Sequence, residues 1–387
     1  MKNIAVTGTN GKTTTVELLY QLLQKNNLVP AVLGTLGFKS GSFQEKYPIL
    51  IGNNAVASLI GELEHTGETD AFAYEAYSTA IASGLYNNGH IDLLAYTNIQ
   101  CDHLDYHHTR QHYVASKLQL LENLKNDGCI ICFSGIGERY DIQSDYRRKG
   151  AVFYTYGIRK SDNLFLKSFT HIKEVSRIQI VCEGLTYTVI LPFSGYCFIL
   201  NWLCAMAIAL NLGIGMENLL RSSGSLCMPR GRLEKAGEYN HALIYVDFAS
   251  NGHALETVLT ELRNRDPNKI HLVFGCGGHT DPCRRSEMGR IANALADLIY
   301  ICDDNPRKEN PESIRNEIQA HCPKGISYSS REAAITEAIS NLMPGDVLLI
   351  AGKGHEEYQE LGDGAIKFSD IQTVNQVIMS VTKALPV

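Results

Sequence analysis

The 387-residue chain has no run of about 18 apolar residues, which argues against a membrane-spanning helix. It has no basic excess either. Its 35 Lys and Arg stand against 41 Asp and Glu, a net charge of −6, so nothing marks a nucleic-acid or anionic membrane partner. Low-complexity runs and internal repeats are absent, and 44% hydrophobic with 20% charged residues excludes a disordered or fibrous chain. The N-terminal apolar run is three residues, Ile4 to Val6, too short for the h-region of a signal peptide. Repeated paired cysteine spacing is also missing. The 11 cysteines are scattered, mostly in apolar contexts, and read as reduced thiols of a cytoplasmic protein. Cys129 and Cys132 do form a CxxC, but they sit in a stretch that reads as a buried strand, which disfavours a redox or metal role.

What is present is a βα rhythm. Short apolar runs alternate with helical patterns, as in α/β folds with mostly parallel sheets. KNIAVTG (2–8) reads as a strand and TTTVELLYQLLQKN (13–26) as a helix; strands are further expected at 29–35, 70–78 and 92–99. Between 129 and 195 short strands and turns suggest β-hairpins inserted in or flanking the sheet, followed by a helix at 201–213 with Gly213 as its cap. After PRGRLE the rhythm restarts, with strands at 242–249, 269–278, 296–306 and 346–356 and a helix at 252–265. The expected architecture is a P-loop-type domain over 1–233 and a smaller Rossmann-like α/β domain over 234–387. Ligands of the second domain should lie at the carboxyl ends of its strands.

TGTNGKTTT (7–15) follows a strand and opens a helix, the context that a phosphate-binding loop needs. Gly8 and Gly11 let backbone amides approach phosphate oxygens, with Thr9, Asn10 and Thr14 completing the loop, and the helix N-terminus adds positive potential. Lys12 would contact the terminal phosphates of a nucleoside triphosphate and Thr13 would hold Mg²⁺. The spacing GxxGKT is tighter than the usual GxxxxGK[ST]. Glu75 ends a strand, and His103 follows 28 residues later in DHLDYH. A carboxylate and an imidazole near such a loop can share a Mg²⁺ that bridges ATP and a phosphate acceptor. His107, His108 and His112 read as loop residues rather than as a zinc cluster.

GTNGKTTT, GTLG (34–37), TNIQCDHLDYHHT (97–109), GRLE (231–234), DDNPR (303–307) and GKGHEEYQ (352–359), in this order, resemble the Mur ligases, and the MurE type most. That resemblance implies ATP and Mg²⁺ as cofactors and Glu75 and His103 as metal ligands. It also implies that Lys117, in YVASKLQLL, is carbamylated to support a second Mg²⁺. Asn201, Arg232 and Asp247 fit the family's remaining nucleotide contacts, Arg232 toward the phosphates and Asp247 toward the ribose. Asp304, Asn305 and Arg307 of DDNPR, with Arg285, Gly352 and Glu356, fit its amino-acid contacts. An intact DNPR goes with meso-diaminopimelate, and Arg307 can take a carboxylate in a two-pronged grip.

The pattern departs from MurE in several places. The sequence opens on the phosphate-loop strand, and the expectation is of a Mur-type ligase lacking the family's N-terminal UDP-binding domain. No TTP motif follows GTLG, Thr79 stands where a histidine is usual, and DFASNG places Ser250 and Gly252 where the family has histidine and proline. GGHTDPCRRS keeps Asp281 and Arg285 but loses other charges. The resemblance implies an ATP-dependent carboxylate–amine ligase acting through an acyl phosphate, and the departures lead to the expectation of a different acceptor. The amine would be meso-diaminopimelate or a related amino acid and the acceptor a small carboxylate not linked to UDP. Two alternatives stand beside it: MurE chemistry with the UDP domain supplied by a partner chain, and a nucleotide-binding subunit without catalysis.

Overall fold

Apolar runs such as NIAV and AFAY are too short for core helices and too continuous for half-exposed strands, so they form strands buried on both faces. In the computed structural model, which describes residues 1–41, 43–45, 55–86, 90–100, 102–142, 150–172 and 174–384, the chain divides into two compact units, Met1–Pro229 and Arg230–Val387. Residues 46–54, within the stretch where the TTP motif is missing, lie outside the described residues. Among the described residues no helix is long and apolar enough to cross a membrane.

The first unit is built on an eleven-stranded sheet. Its strands are β1 (Lys2–Thr7), β2 (Pro30–Gly34), β3 (Gly37–Ser40), β4 (Phe43–Glu45), β5 (Ala71–Ala76), β6 (Ile91–Tyr96), β7 (Leu124–Phe133), β8 (Val152–Gly157), β9 (Leu164–Ile172), β10 (Val175–Cys182) and β11 (Leu185–Leu191). Their order is β11-β10-β9-β8-β7-β6-β1-β5-β2-β3-β4. Strand β1 pairs in parallel with β5 on one side and β6 on the other, so the loops leaving all three carboxyl ends converge. The hairpins expected between 129 and 195 are only half right. Strands β7 and β8 extend the sheet in parallel, and within that stretch antiparallel pairing is confined to β9-β10-β11. Parallel neighbours need a long connection, and 18 residues separate β7 from β8 in the sequence, whereas two separate β9 from β10 and two β10 from β11.

The helix Lys12–Lys25 buries Val16, Leu18, Leu19, Leu22 and Leu23, and packs against the helix Tyr196–Asn211. That second helix is apolar on every side, with Phe198, Ile199, Trp202, Leu203 and Met206 buried, which suits an element enclosed all round. It starts at Tyr196 rather than at 201: the run YCFIL is apolar enough to read as more strand, and Gly195 begins the turn. Buried among these layers, Cys129 and Cys132 have thiols pushed upward by desolvation, Cys129 to about 12, so both are held as thiols.

The second unit carries a six-stranded sheet of β12 (Glu234–Tyr239), β13 (Ala242–Asp247), β14 (Ile270–Phe274), β15 (Leu298–Ile301), β16 (Ile326–Ser327) and β17 (Val347–Ala351). Its order is β12-β13-β17-β14-β15-β16, parallel except for the edge strand β12. Ile244, Val246, Val273, Leu348 and Ile350 face Ala334, Ile335, Ala338 and Val374 across one layer of the core. Side chains cap its helices: Asn251 accepts from the Ala254 amide, Asn310 from Glu312, and Ser330 from Ala333. A hairpin, β18 (Tyr358–Leu361) and β19 (Gly364–Lys367), follows β17. The result is a mixed α/β protein with a large, mostly parallel sheet and a second, smaller parallel one.

Candidate functional site

The loop after β1 is stitched to the end of β6. The Thr9 amide donates to the Asn98 carbonyl at 3.0 Å, the Asn10 amide to Asn98 Oδ1 at 3.0 Å, and Thr97 Oγ1 to the Asn10 carbonyl at 2.6 Å. Thr9 Oγ1 accepts from the Gln100 amide and lies 2.8 Å from the Tyr113 hydroxyl. At Gly11, φ is 86° and a Cβ would run into Asn201 Oδ1, so the residue must be glycine for conformation and for space. Asn201 thus sits directly on the loop. Helix Lys12–Lys25 begins there, with the Thr15 amide bonding to the Gly11 carbonyl, and Thr13 and Thr14 are buried in its first turn.

Two lysines converge on one carbonyl. Lys12 Nζ donates to the Gly8 and Thr9 carbonyls, both at 2.9 Å, and Lys117 Nζ donates to the Gly8 carbonyl at 2.9 Å. Lys117 is 1% exposed, and its ammonium lies 4.8 Å from the centre of the Tyr113 ring. Burial, reinforced by the charge of Lys12 and only partly opposed by Asp102, holds its pKa well below that of an ordinary lysine. The neutral amine is therefore more accessible there than in an exposed lysine.

Glu75, 3% exposed at the end of β5, accepts from the Thr13 hydroxyl at 3.0 Å, the Thr35 amide at 2.7 Å and the Thr35 hydroxyl at 3.2 Å. Gly34 lets it approach, because a Cβ there would meet Glu75 Oε1. Thr13 and Glu75 offer hard oxygens about 3 Å apart, the spacing of neighbouring ligands on an octahedral ion with bonds of about 2.1 Å. The donor set fits Mg²⁺. His103 stands beside Asp102, which accepts from the His103 amide at 2.9 Å, and its backbone is left-handed at φ 54°. Desolvation lowers the pKa of the buried His107. Among the described residues no group of three His, Cys, Asp or Glu is placed to hold a metal.

In the second unit Asp247 ends β13 and accepts from the Leu233 amide at 2.6 Å. Its burial raises the carboxyl pKa to about 6, opposed by the charge of Arg232. The Arg232 guanidinium lies 4.8 Å from the Phe248 ring, and Gly352 donates to the Asp247 carbonyl at 3.1 Å. Beyond β15, Asn305 Nδ2 donates to Glu356 Oε2 at 2.9 Å, and the fully buried Lys353 donates to Asn305 Oδ1 and Glu356 Oε2 at 2.9 and 2.7 Å. Asp304 is buried with a raised pKa caused by desolvation, 3.9 Å from Arg331, whose guanidinium forks onto Asp370 at 2.7 and 2.8 Å. Three carboxylates against two cations leave this corner anionic. Arg307 holds a left-handed backbone, donates to the Gly278 carbonyl at 2.8 Å and pairs with Glu360.

Arg285 has a different position from the rest. It is 3% exposed, with its guanidinium forked onto Glu309 at 2.7 and 2.8 Å and bonded to Glu317 at 3.0 Å. Its Nη1 and Nη2 are thus engaged by carboxylates of the same unit. Asp281 accepts from the Cys283 amide and so starts the helix that carries Arg285. Ser250 precedes the capping Asn251, and Thr79 lies in the short helix Ser78–Ala82. Sequence reasoning passed over Thr35, Tyr77, Asn98, Tyr113 and Lys353. Thr35 lies inside the quoted motif GTLG, Lys353 inside GKGHE, Asn98 inside TNIQCDHLDYHHT and Tyr113 inside YVASKLQLL; Tyr77 lies outside them, and the value of all five is a contact between segments far apart in sequence.

Two family patterns match the chain: the Mur ligase middle domain over residues 6–209, and the Mur ligase glutamate ligase domain over 231–354. A UDP-N-acetylmuramoyl-L-alanyl-D-glutamate–2,6-diaminopimelate ligase of Agrobacterium fabrum is 34% identical over 379 residues, covering 97% of this chain and 77% of that protein. One of Rickettsia bellii is 32% identical, covering 97% and 80%. Among solved structures, a ligase of the same name superposes with a TM-score of 0.68 at 26% identity, over 99% of this chain and 79% of that one. A Thermotoga maritima MurF bound to ADP shares the fold, with a TM-score of 0.69 at 19% identity over 99% and 80%. The relatives are named for a UDP-linked acceptor. That gives no support to the expected small acceptor free of UDP, nor to a partner chain supplying a UDP domain.

Proposed function

This chain belongs to the Mur ligase family and is an ATP-dependent acid–amino-acid ligase, and from that premise we propose that it adds a diamino acid of the meso-diaminopimelate class to a peptidyl carboxylate. The names of its relatives favour a UDP-N-acetylmuramoyl dipeptide as that acceptor. The observation that carries the amine assignment is the closure of Asn305 onto Glu356 through a 2.9 Å bond, with Arg307 two residues on. Asp304 and Glu356 would take an ammonium and Arg307 a carboxylate, the two charges at one end of such an amino acid. Arg285, engaged by Glu309 and Glu317, would support this loop rather than touch the ligand.

In the proposed reaction an acceptor carboxylate oxygen attacks the γ-phosphorus, and the bond from that phosphorus to the bridging oxygen of ADP breaks. The amine nitrogen then attacks the acyl carbon, loses a proton, and the tetrahedral adduct expels phosphate to leave an amide. Lys12 and the loop amides would hold the phosphates, assisted by Asn201; Arg232 and Asp247 of the second unit are nucleotide contacts by resemblance to the family. Thr13 and Glu75 would hold Mg²⁺, with His103 as a further ligand; the ion would neutralise charge on the transferred phosphoryl group. Lys117 would act as a carbamate: its free amine attacks CO₂, an N–C bond forms and one proton leaves to solvent. The burial of Lys117 supports that step.

Amine-dependent ADP formation tests the reading. We expect meso-diaminopimelate to exceed lysine and ornithine in kcat/KM by at least about tenfold, the value of one charge-assisted carboxylate contact. Equal rates with all three amines would remove Arg307 from recognition. Nucleotide binding without turnover on any amine would favour a non-catalytic subunit.

A further inference from the structure

The hairpin after β17 is fastened to the loop that carries Arg307. The Arg307 amide donates to the Glu360 carbonyl at 3.1 Å, the Gly362 amide donates to the Arg307 carbonyl at 2.7 Å, and the Glu360 amide donates to Asn305 Oδ1 at 3.1 Å. Gln359, itself buried, donates to the Asp304 carbonyl at 2.7 Å. The backbone of Glu360 is therefore pinned on both sides, and its carboxylate reaches Arg307 Nε at 2.6 Å. On the opposite edge of the guanidinium, Nη1 donates to the Gly278 carbonyl at 2.8 Å and lies 3.0 Å from where a Cβ on Gly277 would be. Each two-pronged edge of Arg307 thus already has one protein acceptor.

A carboxylate gripped by two parallel N–H bonds must displace one of them. The Gly278 carbonyl is fixed by its own loop, with the Gly278 amide bonded to the Asn305 carbonyl at 2.9 Å. Glu360 is the movable acceptor, because its side chain is 49% exposed and that of Arg307 is 37% exposed. We propose that Glu360 is a specificity-determining residue, an internal carboxylate seated on Arg307 that an incoming amino-acid carboxylate must displace. The proposal rests on the reading of Arg307 as the carboxylate-binding group. Because Glu360 is tethered, it competes at a fixed local concentration and sets how strongly a ligand carboxylate must bind. A ligand without that carboxylate leaves the pair intact and gains nothing from Arg307.

Steady-state kinetics of the unaltered enzyme and of Glu360→Gln test this. The substitution keeps the shape and leaves Arg307 in place. The KM for meso-diaminopimelate is expected to fall about two- to fivefold, the span of an exposed ion pair, while the KM for ATP stays where it was. An unchanged or higher KM for meso-diaminopimelate overturns the proposal, and so does an equal fall in both constants, which would mark a general change in the unit. If the unaltered enzyme forms no ADP in response to meso-diaminopimelate, the functional reading itself fails, and this proposal fails with it.

Discussion

Lys117 combines a long cationic side chain with almost complete burial, and it donates to a carbonyl that Lys12 also uses. Such a residue costs stability. With its folded pKa depressed below the ordinary value of 10.5, the unfolded chain holds a proton that the folded chain lacks at any pH between the two values. Its contribution therefore makes stability rise with pH across that window, and it is lost as pH falls toward the depressed value. Lys117→Met should raise the Tm by at least about 2 °C in buffer purged of CO₂, the shift that about 1 kcal/mol gives in a unit of this size, and should flatten the pH dependence of Tm. Ligase activity should fall at least about 100-fold, as when one charge-stabilising group is removed from an active site. A lower Tm for the variant would show that Lys117 is a structural residue.

At the scale of elements, the strand–loop–helix unit of β1 is the most constrained piece of the first unit. Gly11→Ala would put a Cβ against Asn201 and force a left-handed φ on alanine, so unfolding free energy should drop by about 1–3 kcal/mol. The KM for ATP should rise about tenfold with it, and thermal denaturation with nucleotide titration measures both. This unit was legible from sequence because its signals are local: an apolar run, two glycines, a lysine and a helix start within 25 residues. The same holds for β13, β14, β15 and β17, each an apolar run ending in a glycine- or aspartate-rich loop. Pairing direction was less legible. Strands β7 and β8 look like arms of a hairpin in the sequence, yet they lie parallel, because the turn chemistry that distinguishes the two is absent from the strands themselves. Site residues divide in the same way. Thr13 and Glu75, each singled out in the sequence, meet at 3.0 Å, whereas the engagement of Arg285 by Glu309 and Glu317 depends on a loop and a helix packed from elsewhere in the unit. Lys353 is a comparable case, since a lysine between two glycines gives no hint that it will be fully buried against Asn305 and Glu356.

For the molecule as a whole, the two units hold complementary chemistry. The first carries the glycine-rich loop, the oxygen cluster of Thr13 and Glu75, and a buried lysine whose pKa is held well below the ordinary value by burial. In the proposed reading the second offers Arg307 to a carboxylate and the corner of Asp304 and Glu356 to an ammonium. Activation of a carboxylate by ATP and capture by an amino acid need both sets, and the middle and glutamate-ligase patterns fall on the first and the second unit respectively. The central claim is therefore about the product. The most direct measurement incubates the chain with Mg-ATP, isotopically labelled meso-diaminopimelate and UDP-N-acetylmuramoyl-L-alanyl-D-glutamate, and reads the labelled products by mass spectrometry. The expected product is a labelled species whose mass is the sum of the two substrates less one water, formed together with ADP and phosphate. Nucleotide binding with no labelled condensation product, from this acceptor or from a pool of small carboxylates, would contradict the central claim.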